Sequence, residues 1–167
     1  MSLVSIIMPY YKKELYLEQS IKSILNQTYQ NFELIIVDDC STDNTATIIK
    51  NWISKDSRIK VLTNKKNLKL PGSLCAGFKI AQGEYYTWTS DDNRYLPEAL
   101  EVLHDKISKN NNVDIVYGSS WIINENGIRV SKKESEPAYN LLHYNCIGAY
   151  FLYRAEVDKA IDSYNHK

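Results

Sequence analysis

The feature that most constrains this chain is an apolar run cut off by a proline or an acidic pair, repeated along its length and separated by helical spacing. Leu3 to Met8 is almost wholly apolar and ends at Pro9. Phe32 to Val37 stops at Asp38-Asp39, and Tyr85 to Thr89 stops at Asp91-Asp92. Ile59 to Leu62 and Val113 to Tyr117 are shorter runs of the same kind. Near-continuous apolar runs of this length read as strands buried on both faces. Between them the period changes. Leu17, Ser20, Ile21, Ile24 and Leu25 make one helical face. Ser41, Thr42 and Asp43 are helix-capping types ahead of Ile48, Ile49, Trp52 and Ile53. Pro71 suits the first turn of a helix carrying Leu74, Phe78 and Ala81, which Gly83 should end. Pro97 opens another with Leu100, Leu103 and Ile107. This alternation predicts an α/β fold, a mainly parallel sheet with helices on both faces. After Ser119 the pattern changes. Trp121 to Ile123 and Ile128 to Val130 flank Asn124-Glu125-Asn126-Gly127, a hairpin with an Asn-Gly turn. Leu152 and Tyr153 suggest a further strand, and Ala155 to Ile161 a last helix.

Composition narrows the function. The 20 Lys and Arg balance 20 Asp and Glu, and a nucleic-acid binder would ordinarily carry a basic excess. No apolar run approaches the roughly 18 residues of a membrane-spanning helix. No signal-peptide pattern opens the chain. The three cysteines, Cys40, Cys75 and Cys146, have no zinc-ligand spacing and fit a reducing compartment. There is no glycine-rich dinucleotide fingerprint, P-loop or Gly-x-Ser-x-Gly elbow. His104 sits beside a helix's apolar face and reads as structural, and His143 has no paired ligand nearby. One domain over residues 1–167 is the expectation at this length.

Ligands of open α/β sheets bind beyond the carboxyl ends of the strands. Pro9-Tyr10-Tyr11, Asp38-Asp39 and Asp91-Asp92 all fall at such ends. Tyr10 and Tyr11 are either packed aromatics or a platform for a base. Asp38-Asp39 is either an Asx-turn before a helix or a ligand contact. Adjacent carboxylates at Asp91-Asp92 are costly to bury unless hydrogen bonds or a cation compensate. Mg²⁺ and Mn²⁺ suit one or two carboxylates completed by substrate phosphates. A turn or helix cap before Pro97 is the plainer alternative.

Together these segments resemble a known family. VSIIMPYYKKELYLEQSIKSILNQTYQNFELIIVDDCSTDNT resembles the N-terminal half of family 2 glycosyltransferases with the GT-A fold. GEYYTWTSDDNRYLPEALEVL is similar to that family's metal-site region, and NCIGAYFLYRAEV to the segment leading to its acceptor site. The Thr-Ser-Asp-Asp-Asn form resembles most the branch containing the spore-coat polysaccharide glycosyltransferase.

The resemblance implies roles by position. Tyr11 matches the residue that stacks on uracil, with Pro9 and Tyr10 as the backbone wall beside it. Asp39 matches the acid that accepts a hydrogen bond from base or ribose. Lys69 falls where the family offers the nucleotide a polar or cationic group. Asp91 and Asp92 match the diphosphate and metal site, with Asp92 anchoring Mn²⁺ or Mg²⁺. The implied reaction is inverting transfer from a UDP-sugar to a saccharide or lipid-linked acceptor, deprotonated by a carboxylate base. It is expected in the cytoplasm or peripherally at the inner face of a membrane, with self-association open. Thr89 stands where most relatives have Asp. The family's base motif is expected beyond Lys167, and neither Glu134 nor Glu136 has the spacing to replace it. The alternative is a nucleotide-sugar-binding fragment without turnover. A signalling receiver and a sugar nucleotidyltransferase fit less well. The first wants its acidic pair after the first strand, and the second a glycine-rich loop there.

Overall fold

The computed structural model describes residues 2–12, 14–43 and 45–161. In chain order the elements are β1 (Val4–Tyr10), α1 (Glu14–Leu25), β2 (Phe32–Asp38), α2 (Thr45–Ile53), β3 (Ile59–Thr63), α3 (Lys69–Ile80), β4 (Tyr85–Trp88) and α4 (Ala99–Ser108). There follow β5 (Ile115–Tyr117), β6 (Ser120–Ile123), β7 (Arg129–Lys133), a 3-10 turn (Ala138–Leu142), β8 (Phe151–Arg154) and α5 (Ala155–Ile161). The main sheet runs β3-β2-β1-β4-β8-β5.

The apolar strands carry two cores, one per face. Ile6, Met8, Leu34 and Ile36 meet Leu17, Ile21 and Ile24 of α1, Ile49 of α2, and Leu100, Leu103 and Ile107 of α4. The alternate residues Ile7, Ile35 and Val37 meet Leu74 and Phe78 of α3 and Ala155 of α5. A period-two strand buried on both sides needs apolar residues on both faces, which β1 and β2 supply except at Ser5, Glu33 and the terminal Asp38.

β3, β2, β1 and β4 are mutually parallel, as expected. β5 does not lie beside β4. β8 lies between them, antiparallel to both. The order reverses between β1 and β4, because the chain builds outward from β1 through β2 to β3 and then returns to the other side. That reversal opens a crevice at the carboxyl ends of β1 and β4.

Two terminators act differently from the sequence expectation. Pro9 does not end β1, which continues to Tyr10, with Pro9 opposite Val37. Val4 N–H and Tyr10 C=O bond toward β2, whereas the carbonyls of Leu3 and Ile7 face β4. Pro9 therefore faces β4, which has already ended at Trp88, so its missing N–H leaves no ladder bond unmade. Gly83 does not cap α3, whose cap is Ala81 in an extended conformation. Gly83 instead lets β4 approach β1. A Cβ there would stand 2.7 Å from both the Ser5 amide and its Oγ. α4 also begins later than Pro97, which stays in the loop and accepts a hydrogen bond from the Thr28 amide.

The hairpin forms as expected. β6 and β7 make a separate two-stranded sheet, turned by Gly127 at φ 77°. Asn124 Oδ1 accepts from the Asn126 and Ile128 amides and fixes the turn.

Candidate active site

The three sheet-end features lie side by side at the β1/β4 crevice. The Asp39 amide donates to the Tyr10 carbonyl at 3.1 Å, extending the ladder one residue past both strands. Thr89 N–H does the same for β4, donating to Ile7 C=O at 2.9 Å.

Tyr10 turns its ring into the core and is 3% exposed. Burial first, then the charge and hydrogen bond of Asp38, hold its phenol far above the usual tyrosine range. Only its backbone is left to line a site. Tyr11 is 41% exposed, with Lys12 Nζ 5.1 Å from its ring centroid. Between packed aromatic and open platform, the structure divides the pair. Tyr10 packs and Tyr11 is presented.

Asp38 makes the Asx-turn, its Oδ1 accepting from the Ser41 amide at 2.8 Å. Asp39 does something the sequence did not suggest. Its buried carboxylate holds the start of α3. Oδ1 accepts from Asn64 Nδ2 at 2.9 Å and from the Leu68 amide at 2.7 Å. Oδ2 accepts from the Lys69 amide at 2.9 Å. These are orphan donors at a helix N-terminus, capped from another element. A carboxylate offers about four acceptor positions. Among the described residues three are used, and the fourth is on Oδ2. Lys69 is thus brought to Asp39 by its backbone rather than its ammonium.

Among the described residues, three non-glycine residues have left-handed backbone, Lys12, Cys40 and Lys69. Each follows a residue of this cluster, namely Tyr11, Asp39 and Leu68. Such conformations cost on the order of 1–3 kcal/mol apiece and gather where a site is held in place by its surroundings.

Asp91 is buried and Asp92 exposed. The loop that carries them is fastened from α1. Ser20 Oγ lies 2.8 Å from the Asp91 carbonyl and 2.6 Å from the Asn93 carbonyl, its single proton shared between them. Ser23 Oγ accepts from the Tyr95 amide at 3.1 Å. Gln27 Nε2 donates to the Leu96 carbonyl at 2.8 Å, and its Oε1 accepts from the Leu100 amide at 2.9 Å. One stripe of α1 and the turn after it thus positions the acidic loop. The sequence signal was a serine inside an apolar face, at Ser20, where a polar residue has a reason to be.

Among the described residues no three Asp, Glu, His or Cys side chains converge on a metal position. Two adjacent carboxylates, one at the surface, form no closed protein cage, and a Mg²⁺ or Mn²⁺ ion there would need substrate phosphates to complete its oxygen ligands. Thr89 is buried. Its Oγ1 and that of Thr87 face the Tyr95 hydroxyl, which burial pushes up. Asp92 also opens onto a cleft of about 870 Å³ between the acidic loop, α4 and the hairpin. The sequence did not indicate this cleft. Its aromatic residues, among them Tyr95, Trp121 and Tyr150, are spread over distant segments.

Glu134 and Glu136, which lack the spacing of a base in the sequence, are both engaged by neighbouring side chains. Glu134 bonds Ser119 Oγ at 2.9 Å and pairs with Lys132 at 2.8 Å. The Lys132 hydrogen bond, with that of Ser119, holds its carboxyl below the usual range. Glu136 accepts from Asn140 and from the Tyr144 hydroxyl.

A mostly parallel six-stranded sheet flanked by helices on both faces is the architecture of the GT-A fold. The family model "Glycosyl transferase family 2" matches residues 5–162, and the chain belongs to that family. An uncharacterized glycosyltransferase of Haemophilus influenzae is 46% identical over 101 residues, 60% of this chain and 40% of that protein. WfgD of Escherichia coli, a UDP-Glc:alpha-D-GlcNAc-diphosphoundecaprenol beta-1,3-glucosyltransferase, is 39% identical over 146 residues. That match covers 86% of this chain and 56% of WfgD. The chain therefore spans about half the length of these relatives. Among solved structures, S. aureus TarS 1-349 in complex with UDP-GlcNAc has the same fold, with a TM-score of 0.78 at 24% identity. The match covers 95% of this chain and 47% of the TarS 1-349 chain.

Proposed function

We propose that this glycosyltransferase chain binds a UDP-sugar at the β1/β4 crevice and, with a divalent cation on Asp92, passes the sugar with inversion to an acceptor hydroxyl. The observation that carries this is the convergence of exposed Tyr11, the remaining acceptor position on Asp39 Oδ2, and the Asp91-Asp92 loop at one switch point. The name of WfgD, with its UDP-Glc donor, supports uracil as the base. The Thr-Ser-Asp-Asp-Asn form supports the spore-coat polysaccharide branch.

Each residue has work that follows from its surroundings. Tyr11 offers a flat face to the base, bounded by the Pro9-Tyr10 backbone. Asp39 accepts a base or ribose donor at Oδ2, and its three existing bonds fix the orientation of the carboxylate. Lys69 stands at the same cluster. Asp91, buried under the Ser20 clamp, sets the direction of Asp92. Mg²⁺ or Mn²⁺ held by Asp92 and the phosphates would act as a Lewis acid on the leaving diphosphate. Neither Glu134 nor Glu136 is assigned the deprotonating role. The engagement of Glu134 and Glu136 favours, as a second reading, donor binding without turnover by these residues alone. We place the reaction in the cytoplasm, where nucleotide sugars are found, or at the inner membrane face. No helix among the described residues is long and apolar enough to cross a membrane.

A thermal-shift titration with UDP, with and without Mn²⁺, tests the reading. A ligand of the native state alone at about 100 times its Kd adds about 2.7 kcal/mol, which raises Tm by roughly 5–11 °C for a domain of this size. The expected result is a Mn²⁺-dependent shift that Asp92→Ala abolishes. No shift with UDP in wild type overturns it.

A further inference from the structure

Apart from Asp92, the residues that line the cleft are not among those proposed above to hold the donor. Loop 92–98 and the start of α4 contribute one set of its lining residues and the hairpin the other, with Tyr95 and Tyr150 between them. At about 870 Å³ it falls in the upper part of the roughly 300–1,000 Å³ range of small-molecule sites. It has more room than one hexose needs.

Its chemistry is selective. Trp121 is 44% exposed, with the Arg129 guanidinium 5.0 Å from its ring centroid. Tyr95 and Tyr150 meet edge to face at 6.2 Å. The Tyr150 hydroxyl is tied to the Ala99 carbonyl at 2.8 Å, and burial, then Tyr95, pushes it up to about 12. Around these rings stand planar polar groups, Asn93, Asn124, Glu98 and Glu125. The charges nearly cancel, with Asp92, Glu98 and Glu125 against Arg94 and Arg129. An anionic ligand would find no cationic funnel. A lipid tail would leave the carboxylates desolvated and unpaired. A pyranose fits both halves of the lining, because its C–H face packs on an indole and its hydroxyls take forked amide, carboxylate and guanidinium partners.

The cleft is also linked to the acidic loop. Arg94, two residues after Asp92, lays its guanidinium against Gly127 at the hairpin tip. A Cβ on Gly127 would stand 2.8 Å from Arg94 Nη1. Any side chain at that position would push on Arg94, besides straining a backbone at φ 77°.

We propose that this cleft is the acceptor subsite, that it takes an uncharged hexopyranoside stacked on Trp121, and that the β6–β7 hairpin determines which sugar is accepted. The inference rests on the donor reading, since it is Asp92 that places the cleft beside the transferred group.

Saturation-transfer NMR tests it. The probes are the methyl glycosides of glucose, galactose, mannose and N-acetylglucosamine, with pyrophosphate as the anionic competitor, on protein held with UDP and diamagnetic Mg²⁺. The expected result is transfer to at least one glycoside, reduced fivefold or more in Trp121→Ala, partly restored in Trp121→Phe and unchanged in Trp52→Phe. The UDP thermal shift of each variant reports folding and donor binding separately. Absence of transfer to all four glycosides, transfer indifferent to Trp121→Ala, or displacement of the glycoside by pyrophosphate overturns the proposal. Loss of the UDP shift with Trp121-dependent transfer retained overturns the donor reading and leaves the saccharide site standing.

Discussion

At the scale of single residues, this chain assigns polar groups to structural work that their type alone does not announce. His104 is the plainest case. Its ring lies 4.3 Å from Tyr29 and 5.5 Å from Tyr85, and its Nε2 is buried with no partner among the described residues. Burial lowers its pKa from 6.5. A histidine whose folded pKa is depressed binds its proton more readily when unfolded. Stability is then complete above about 6.5 and falls as pH drops from there toward the lower folded value. Glu33 acts in a separate window. Burial pushes its carboxyl up, but bonds from Lys60, Ser5 and the Gln82 amide outweigh this, and the net shift is down from 4.5. Its contribution is lost only at more acid pH. His104→Phe keeps the ring contacts and removes the titration. Its Tm between pH 7.5 and 5.5 should therefore fall less than that of wild type, with the two curves differing most at the acid end. Parallel curves would mean that His104 is protonated without cost. The structural reading of His104 was available from its place on an apolar face. The role of Asp39 as a cap for α3 was not, because its partners at 64, 68 and 69 are distant in sequence and two are backbone amides.

At the scale of elements, the alternation of apolar runs and helical faces gave the order of strands and helices because burial on both sides of a sheet leaves few other patterns. It did not give the neighbour of β5. β8 is a four-residue strand, and a short apolar run carries no mark of direction or of the gap it fills. Element ends were displaced wherever a residue's meaning depended on a neighbouring strand, as at Pro9 and Gly83. The same dependence governs the acidic loop. Ser20, Ser23 and Gln27 make five hydrogen bonds to the backbone of residues 91–100. Removing Gln27 leaves a buried amide and a carbonyl unpaired, at about 1–3 kcal/mol each. Gln27→Ala should be strongly destabilising for that reason. Ser20→Ala removes a hydroxyl from two carbonyls at the loop itself and should cost about 1 kcal/mol while weakening Mn²⁺-dependent UDP binding more than metal-free binding. Calorimetric titration of UDP at fixed Mn²⁺ measures the second effect. Equal weakening with and without metal would show that Ser20 supports the fold and not the aim of Asp92.

At the scale of the whole molecule, stability and the candidate sites occupy different regions. β1 and β2 are buried at almost every position and paired along their length, and a network of Ser5, Glu33, Lys60 and Gly83 joins the strands at their amino ends. The hairpin is the opposite. Every residue of β7 is exposed, and β6 and β7 pair only with each other. Isolated two-stranded sheets are marginal in water, and local opening can cost close to nothing at such places while the core opens only with global unfolding. Amide exchange should therefore be slowest in β1 and β2 and faster by several orders of magnitude in β6 and β7. The contrast carries a functional consequence. A wall of low intrinsic stability closes on its ligand by being ordered, and the free energy of ordering it comes out of the ligand's affinity. Adding the glycoside that gives saturation transfer should slow exchange in β6, in β7 and at Arg94, and leave β1 and β2 unchanged. Exchange in the hairpin as slow as in β1 before any ligand is added would mean that the wall is already rigid and that the cleft selects its sugar by shape alone.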